Sequence, residues 1–426
     1  MKQLRCAATR RTFAGFLVIG LCSGCSTLQN RRTDGVKNRA FIVYWPPPED
    51  SKQVRLVVKD LIDMKGMVTT AGSEYLARTG SPAARDADCL KIARTRNVRI
   101  VGRTNLAEFG LGASGLNEFF GNPKNPLNEK LAPGGSSSGS AVAVASGMAD
   151  VAFGTDTAGS VRIPAAWCGI LGLKTTFGLV PLKGVAPLSP DHLDTVGPMA
   201  KDIDHLTQGM DLLQSGFAAR YKKSAAAKPS ARNIKIGRLY VDGTDPAIDK
   251  AIDQALALRN FQVIKLDQAF KAKWEQAQKD GKVVALAGGW INDQKYLDKK
   301  GVDAKTKAAI KAGELEYPDS YRDALGRKAA WQRALRQVFK KIDFIALPTL
   351  KSLPLKVPFF GGSVVFESRV FEMQNTAAVN FAGNPALALP IPVEDKNVPV
   401  TSLQLIGPKL SEADLINAGR LIEGRH

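Results

Sequence analysis

Only three histidines occur in the 426 residues, at positions 192, 205 and 426. A serine hydrolase that borrows its base from histidine therefore has little to draw on, since His426 is the last residue. Metal chemistry is equally short of donors: no group of His and Cys has ligand spacing, so neither a metal nor a cofactor is expected. No serine has a lysine three positions on, which removes the S-x-x-K arrangement of serine–lysine acyl enzymes. No apolar run is long enough to span a bilayer. Repeats and low-complexity tails are absent, and no basic stripe interleaved with aromatics marks nucleic-acid binding.

What is present is a globular balance, 44% hydrophobic and 23% charged, with enough apolar residues for one large core. The N-terminus departs from it. Lys2, Arg5, Arg10 and Arg11 precede FAGFLVIGL, an apolar run of signal-segment length, and small residues in CSGCS lead up to Cys25. Residues 1–25 resemble a bacterial lipoprotein signal with lipid attached to Cys25 after cleavage, although Cys22 stands where an aliphatic residue is usual. TRRTF, at 9–13, also resembles a twin-arginine export signal. The expectation is an exported, periplasmic protein anchored at a membrane through lipid on Cys25. The net charge of +19 then suits an anionic lipid surface, and no nucleic-acid partner is expected. Residues 26–53, ending near the prolines at 46–48, read as a tether. Cys89 and Cys168 lie among apolar neighbours and read as separate buried thiols.

Residues 54–426 alternate between two periodicities. VRLVV and VRIVG are β-branched strands, DADCLKIARTR (86–96) between them is a helix, and GLKTTFGLVP turns the chain. SAVAVASGM reads as a helix of small side chains and ADVAFGTD as a strand. PAIDKAIDQALALRN, FQVIKLD, YRDALGRKAAWQRALRQVFKK and DFIALP continue as helix, strand, helix and strand. The reading is one large α/β domain over 54–426, a mixed central β-sheet covered by helices on both faces. The lysine-rich stretch from Lys271 to Lys311 reads as a solvated helical face.

LAPGGSSSGS (131–140) crowds serines and glycines into one short segment. Gly135 to Gly139 satisfies G-x-S-x-G, the nucleophile elbow of α/β-hydrolases, which would make Ser137 the nucleophile of an esterase. That elbow needs a hydrophobic strand directly before it, and KNPLNEKLAPGG reads as loop.

Three segments taken together point elsewhere. VVKDLIDMKGMVTTAGS, APGGSSSGSAVAVASG and AFGTDTAGSVRIPAAWCGILGLKTTFGLVP closely resemble the amidase signature family in order, spacing and content. RTNLAEFG, LDTVGPMA, DFIALPT and NFAGNPALALP fit that family too. The likeness is dense over about 54–210, returns at 343–426, and is thin between. It implies the amidase signature fold and a Ser-cisSer-Lys triad of Lys59, Ser136 and Ser160, with Ser160 the nucleophile and Ser136 a proton bridge.

The residue chemistry agrees with those roles. Lys59 follows Val57 and Val58, so its amine would be desolvated, although a lysine at a strand end ordinarily reaches for water. A base working near neutrality must fall from about 10.4 to near 7, a cost of about 4 kcal/mol. Backbone amides of Thr157, Ala158, Gly159 and Ser160 precede a helix with Pro164 in its first turn, a geometry suited to an oxyanion hole. Ser160 would equally serve as that helix's N-cap. Ser137 is expected to orient Ser136, and Asp156 and Arg162 to fix the loop by hydrogen bonds. Ser138 and Ala158 stand where many members have glycine, variants that resemble those of allophanate hydrolases; Ala158 forbids angles that glycine allows.

The resemblance implies an amidohydrolase acting on a small-molecule or short peptide amide, with specificity from loops of the middle third and a possible homodimer. A catalytically weak lipoprotein that keeps the fold for binding is the competing reading. Transamidosome-type proteins that work on charged tRNA share the signature, but an exported chain would have no access to that substrate.

Overall fold

The structure, a computed structural model, describes residues 38–424 apart from Phe360. The signal segment 1–25 with Cys25, and the tether as far as residue 37, lie outside the described residues. Eleven strands form one sheet: β1 (Phe41–Tyr44), β2 (Val54–Lys59), β3 (Val98–Thr104), β4 (Val151–Asp156), β5 (Leu171–Lys174), β6 (Thr195–Ala200), β7 (Lys235–Arg238), β8 (Gln262–Lys265), β9 (Phe344–Pro348), β10 (Ala386–Pro392) and β11 (Val400–Ile406). Across the sheet the order is β1-β3-β2-β4-β6-β5-β10-β11-β9-β7-β8. β3, β2 and β4 are parallel neighbours, as are β9, β7 and β8. The strands between the two parallel groups pair antiparallel.

Alternation along the strands divides the core. Leu56 and Val58 of β2 and Val151 and Phe153 of β4 join an apolar cluster with helices Ile203–Leu213, Pro246–Leu258 and Glu412–Glu423. Val57 and Ala152, one step along, face the opposite cluster with helices Ser138–Ala145 and Arg162–Cys168. Successive side chains leave a strand on opposite faces, so a run such as VRLVV buries both sides only if helices lie on both. They do, and the mixed α/β architecture read from the sequence is the one found. Cys89 and Cys168 are buried, unpaired thiols, each pushed upward by burial.

Three segments differ from the sequence reading. Residues 86–96 are not one helix but a 3-10 turn, Asp88–Leu90, followed by the short helix Lys91–Thr95. The amides of Ala87 and Asp88 donate to Asp63 O and Lys183 O, which holds the start of the segment out of a helix. Leu171–Lys174, read as part of a turn, is a four-residue strand between β6 and β10, too short to show a period. Phe41–Tyr44, inside the stretch read as tether, pairs antiparallel with β3 at the sheet edge. LDTVGPMA supplies β6 despite Pro198. Proline is tolerated there because β5 pairs with β6 only at Met199 and Ala200.

Helix Ser138–Ala145 is buried along almost its whole length, which explains its diet of Ser, Gly, Ala and Val. Gly139 sets its seat. A Cβ there would meet Ala40 O at 2.2 Å and the Asn105 N and O atoms at 2.6 Å, and the Gly139 amide donates to Asn105 O at 3.0 Å. Gly139→Ala is therefore expected to lower stability by about 1–3 kcal/mol through overpacking, read as an earlier midpoint in urea unfolding.

Candidate active site

Lys59 ends β2, and the parallel neighbour β4 carries Thr155 and Asp156 to the same edge. The lysine has no solvent exposure. Its Nζ donates to Ser136 Oγ at 2.7 Å and to Thr155 Oγ1 at 2.8 Å. Burial pulls the amine down to about 7, against the opposing pull of Asp156 and Asp194. The adjacent carboxylate offers no neutralising partner, because Asp60 turns to Arg103 and accepts from Thr70. Burial pushes Asp60 up to about 6, with Arg103 and Thr70 opposing.

The Gly135–Ser136 peptide is cis, and the loop is clamped on several sides. Gly134 N donates to Ser114 O, Gly135 N to Ala113 O, and Ser136 O accepts from Ala107 N. Ser137 donates its amide to Ser160 O at 3.2 Å and its hydroxyl to Thr155 O at 3.3 Å. It thus braces the cis serine's neighbours, and it is completely buried. None of the described strands leads into it, so the esterase reading loses its elbow.

Ser160 lies between β4 and helix Arg162–Cys168, half-buried at the wall of a cavity. The N-cap of that helix is Val161, not Ser160, and Asp156 supplies the cap acceptor by taking the Val161 amide at 3.2 Å. Among the described residues no protein group accepts from the amides of Thr157, Ala158, Gly159 or Ser160. Gly159 has φ 138°, and a Cβ on it would strike Thr376 Oγ1 at 2.3 Å. That threonine hydroxyl grips Ala158 O. Ala158 itself has no positive φ, so alanine serves where the resemblance led one to expect glycine.

Asp156 and Arg162, both fully buried, hold this turn from below. Arg162 donates Nε and an Nη to the Asp156 carboxylate at 3.0 and 2.9 Å. Its other contacts are Thr376 O at 3.2 Å, Gln404 Oε1 at 2.6 Å and Asn380 Oδ1. Burial alone would raise Asp156, but the Arg162 charge and fork outweigh it and hold the carboxylate at about 2. Thr155, Thr376, Asn380 and Gln404 were not singled out from sequence. Asn380 sits inside NFAGNP, where the family likeness returned, and nothing local distinguishes the others.

Gly135, Thr157, Ala158 and Ser160 close one end of a cavity of about 670 Å³. Trp274, Leu286, Val364 and Phe371 give it apolar walls, and Lys279, Lys282 and Lys305 also line it. Lys282 and Lys305, both largely buried, depart from the reading of 271–311 as a solvated face, whereas Lys273, Lys279 and Lys311 are exposed in keeping with it. Lys282 is drawn below its ordinary range by burial and pairs with Glu372 at 2.7 Å. The walls come from helices Gln268–Asp293, Ala304–Glu316 and Val364–Met373 more than from loops. The two described histidines take no part: His205 bonds Asp202 at its own helix start, and His192 packs beside Tyr321. No group of three or more His, Cys, Asp or Glu side chains among the described residues could hold a metal.

Residues 53–416 match the Amidase family model. The chain belongs to the amidase family. Within it, this amidase is 32% identical over 408 residues to a glutamyl-tRNA(Gln) amidotransferase subunit of Halobacterium salinarum, covering 86% of this chain and 94% of that one. The same-named subunit of Natronomonas pharaonis is 32% identical over 409 residues, with the same coverage. Among solved structures, its namesake from Thermotoga maritima superposes with TM-score 0.75 at 23% identity, covering 94% of this chain and 90% of the other. A 6-aminohexanoate cyclic dimer hydrolase gives TM-score 0.75 at 21% identity, covering 87% and 84%. The two structures establish the shared fold, and the family establishes an amide-hydrolysing enzyme.

Arg162→Ala would leave a buried, ionised Asp156 without its partner. The expected cost is about 3–5 kcal/mol, seen as a lower thermal midpoint.

Proposed function

We propose that this amidase cleaves a C–N amide bond through an acyl-enzyme on Ser160, with Ser136 and Lys59 as its proton relay. The observation that carries the reading is the buried Lys59 amine, brought to about 7 and 2.7 Å from Ser136 Oγ. Neutral Lys59 takes the Ser136 proton while Ser136 takes that of Ser160. Ser160 Oγ then attacks the amide carbonyl carbon. The oxyanion is received by the uncommitted amides of residues 157–160, each donor contributing about 3 kcal/mol to the transition state. Collapse breaks the C–N bond, and the relay returns the proton to the leaving amine. Water attacks the acyl-enzyme along the same path, releasing the acid and restoring Ser160.

The apolar walls of the cavity favour an amide carrying an aryl or acyl group over a small polar one. Export with a lipid anchor at Cys25 belongs to the same reading and rests on the residues before Cys25. A homodimer is compatible with it. The relatives favour a second reading, that the chain is one component of a complex serving glutamyl-tRNA(Gln) amidation, because the likeness spans 94% of the Halobacterium protein. Screening the purified chain against amides, glutamine included, with ammonia or amine release as readout separates the two. Turnover of aryl or acyl amides by the chain alone supports hydrolysis, and release from glutamine only with partner proteins supports the second reading.

Lys59→Ala and Ser160→Ala are each expected to lower kcat by about 10³-fold or more. The base must be uncharged, so kcat/KM should climb as pH rises through about 7 and then level off. A flat profile from pH 6 to 9 would remove lysine from the role.

A further inference from the structure

Asp194 precedes β6 and is buried. Its carboxylate is fully engaged by three donors. Oδ1 accepts from Thr157 Oγ1 at 2.6 Å, and Oδ2 accepts from the Leu188 and Ser189 amides at 2.9 Å each. The turn is closed from the other side as well, since the amides of Leu193 and Asp194 return to Ser189 O. One carboxylate therefore fastens the residue that begins the 157–160 segment to a separate, rigid turn.

The same group acts on the amine by its charge. Asp194, Ser136, Thr155 and Thr157 line one small cavity of about 10 Å³, so both hydroxyl partners of Lys59 border it. Lys59 is among the charges that act on Asp194, and Asp194 among those that act on Lys59. Asp156 acts on the amine from β4 but is committed to Arg162. At the end of helix Gln268–Asp293, Asp293 is acted on by the charges of Lys295, Asp194 and Glu108. Burial pushes Asp293 up to about 7 and raises Glu108. Burial raises Asp194 too, against its three hydrogen bonds and Lys59.

We propose that Asp194 is a positioning residue whose single carboxylate serves both halves of the site, fixing Thr157 and with it the 157–160 amides, and setting the charge that the Lys59 amine faces. A purely structural turn needs only an acceptor. A carboxylate adds a negative charge beside the amine, which resists its full neutralisation and keeps the relay reversible, as returning a proton to the leaving amine requires.

The proposal rests on Lys59 acting as the base. The test compares kcat and KM across pH for the wild type, Asp194→Asn and Thr157→Val, with thermal unfolding followed alongside. Asparagine keeps an acceptor for Thr157 but removes the charge. The ammonium then loses a neighbour that favours it, so the acid limb should move to lower pH by about one unit. Thr157→Val keeps the charge and loses the clamp, so kcat should fall about tenfold with KM nearly unchanged and the limb in place. A limb that stays put in Asp194→Asn overturns the proposal, as does wild-type kcat in Thr157→Val. If Asp194→Asn does not fold, the Thr157→Val result decides. A wild-type profile without any acid limb, or an active Lys59→Ala, removes the base itself and is thereby distinguishable from failure of the Asp194 role alone.

Discussion

Lys59 has no solvent exposure, and among the described residues its amine has two hydroxyl partners and no carboxylate bonded to it. An amine so placed is poorly stabilised as an ammonium, which is the condition for it to take protons near neutral pH. Much of the surrounding structure can be understood as keeping the available carboxylates away from that nitrogen. Asp60 is taken by Arg103, Asp156 by Arg162, and Asp194 by Thr157 and two backbone amides. Asp156 and Asp194 still act on the lysine, and all three anions are already spoken for.

The strand that carries Lys59 was legible because its apolar run needs cover on both sides, and the run ends where the lysine is placed. The three family segments pointed to Ser136 and Ser160. The structure adds the physical link between them: Ser137 bonds back to Ser160 O and to Thr155 O, so the serine loop and the β4 end form one unit. What could not be read was contact between distant segments. Thr155 is one hydroxyl in a strand, Thr376 one hydroxyl before a short helix, and neither announces that it meets a lysine or a glycine in space. The short strand Leu171–Lys174 failed for a different reason, since four residues with a glycine among them show no periodicity.

The lysine stretch shows the limit of charge patterning. Along helix Gln268–Asp293 the spacing suggested a hydrated face, and Lys282 is instead largely buried beside Phe371 and paired with Glu372. The long apolar stem of lysine packs along a cavity wall while its charge finds an acidic neighbour, and a sequence does not reveal which partner a distant helix will supply. Two of the three wall helices, Gln268–Asp293 and Ala304–Glu316, fall in the thin middle of the family likeness. Residues that shape a cavity can vary while those that perform the reaction stay recognisable.

Arg162 carries one more implication. Its guanidinium gathers Asp156 from β4, Thr376 from just before helix Ala377–Ala382, Asn380 from within it, and Gln404 from β11. The residues that complete this knot follow Arg162 by 214 to 242 positions. A nascent chain stopped before β11 would hold the lysine and both serines yet lack the anchor beneath them. Competence therefore waits on β11, and a chain released before it would yield no working hydrolase.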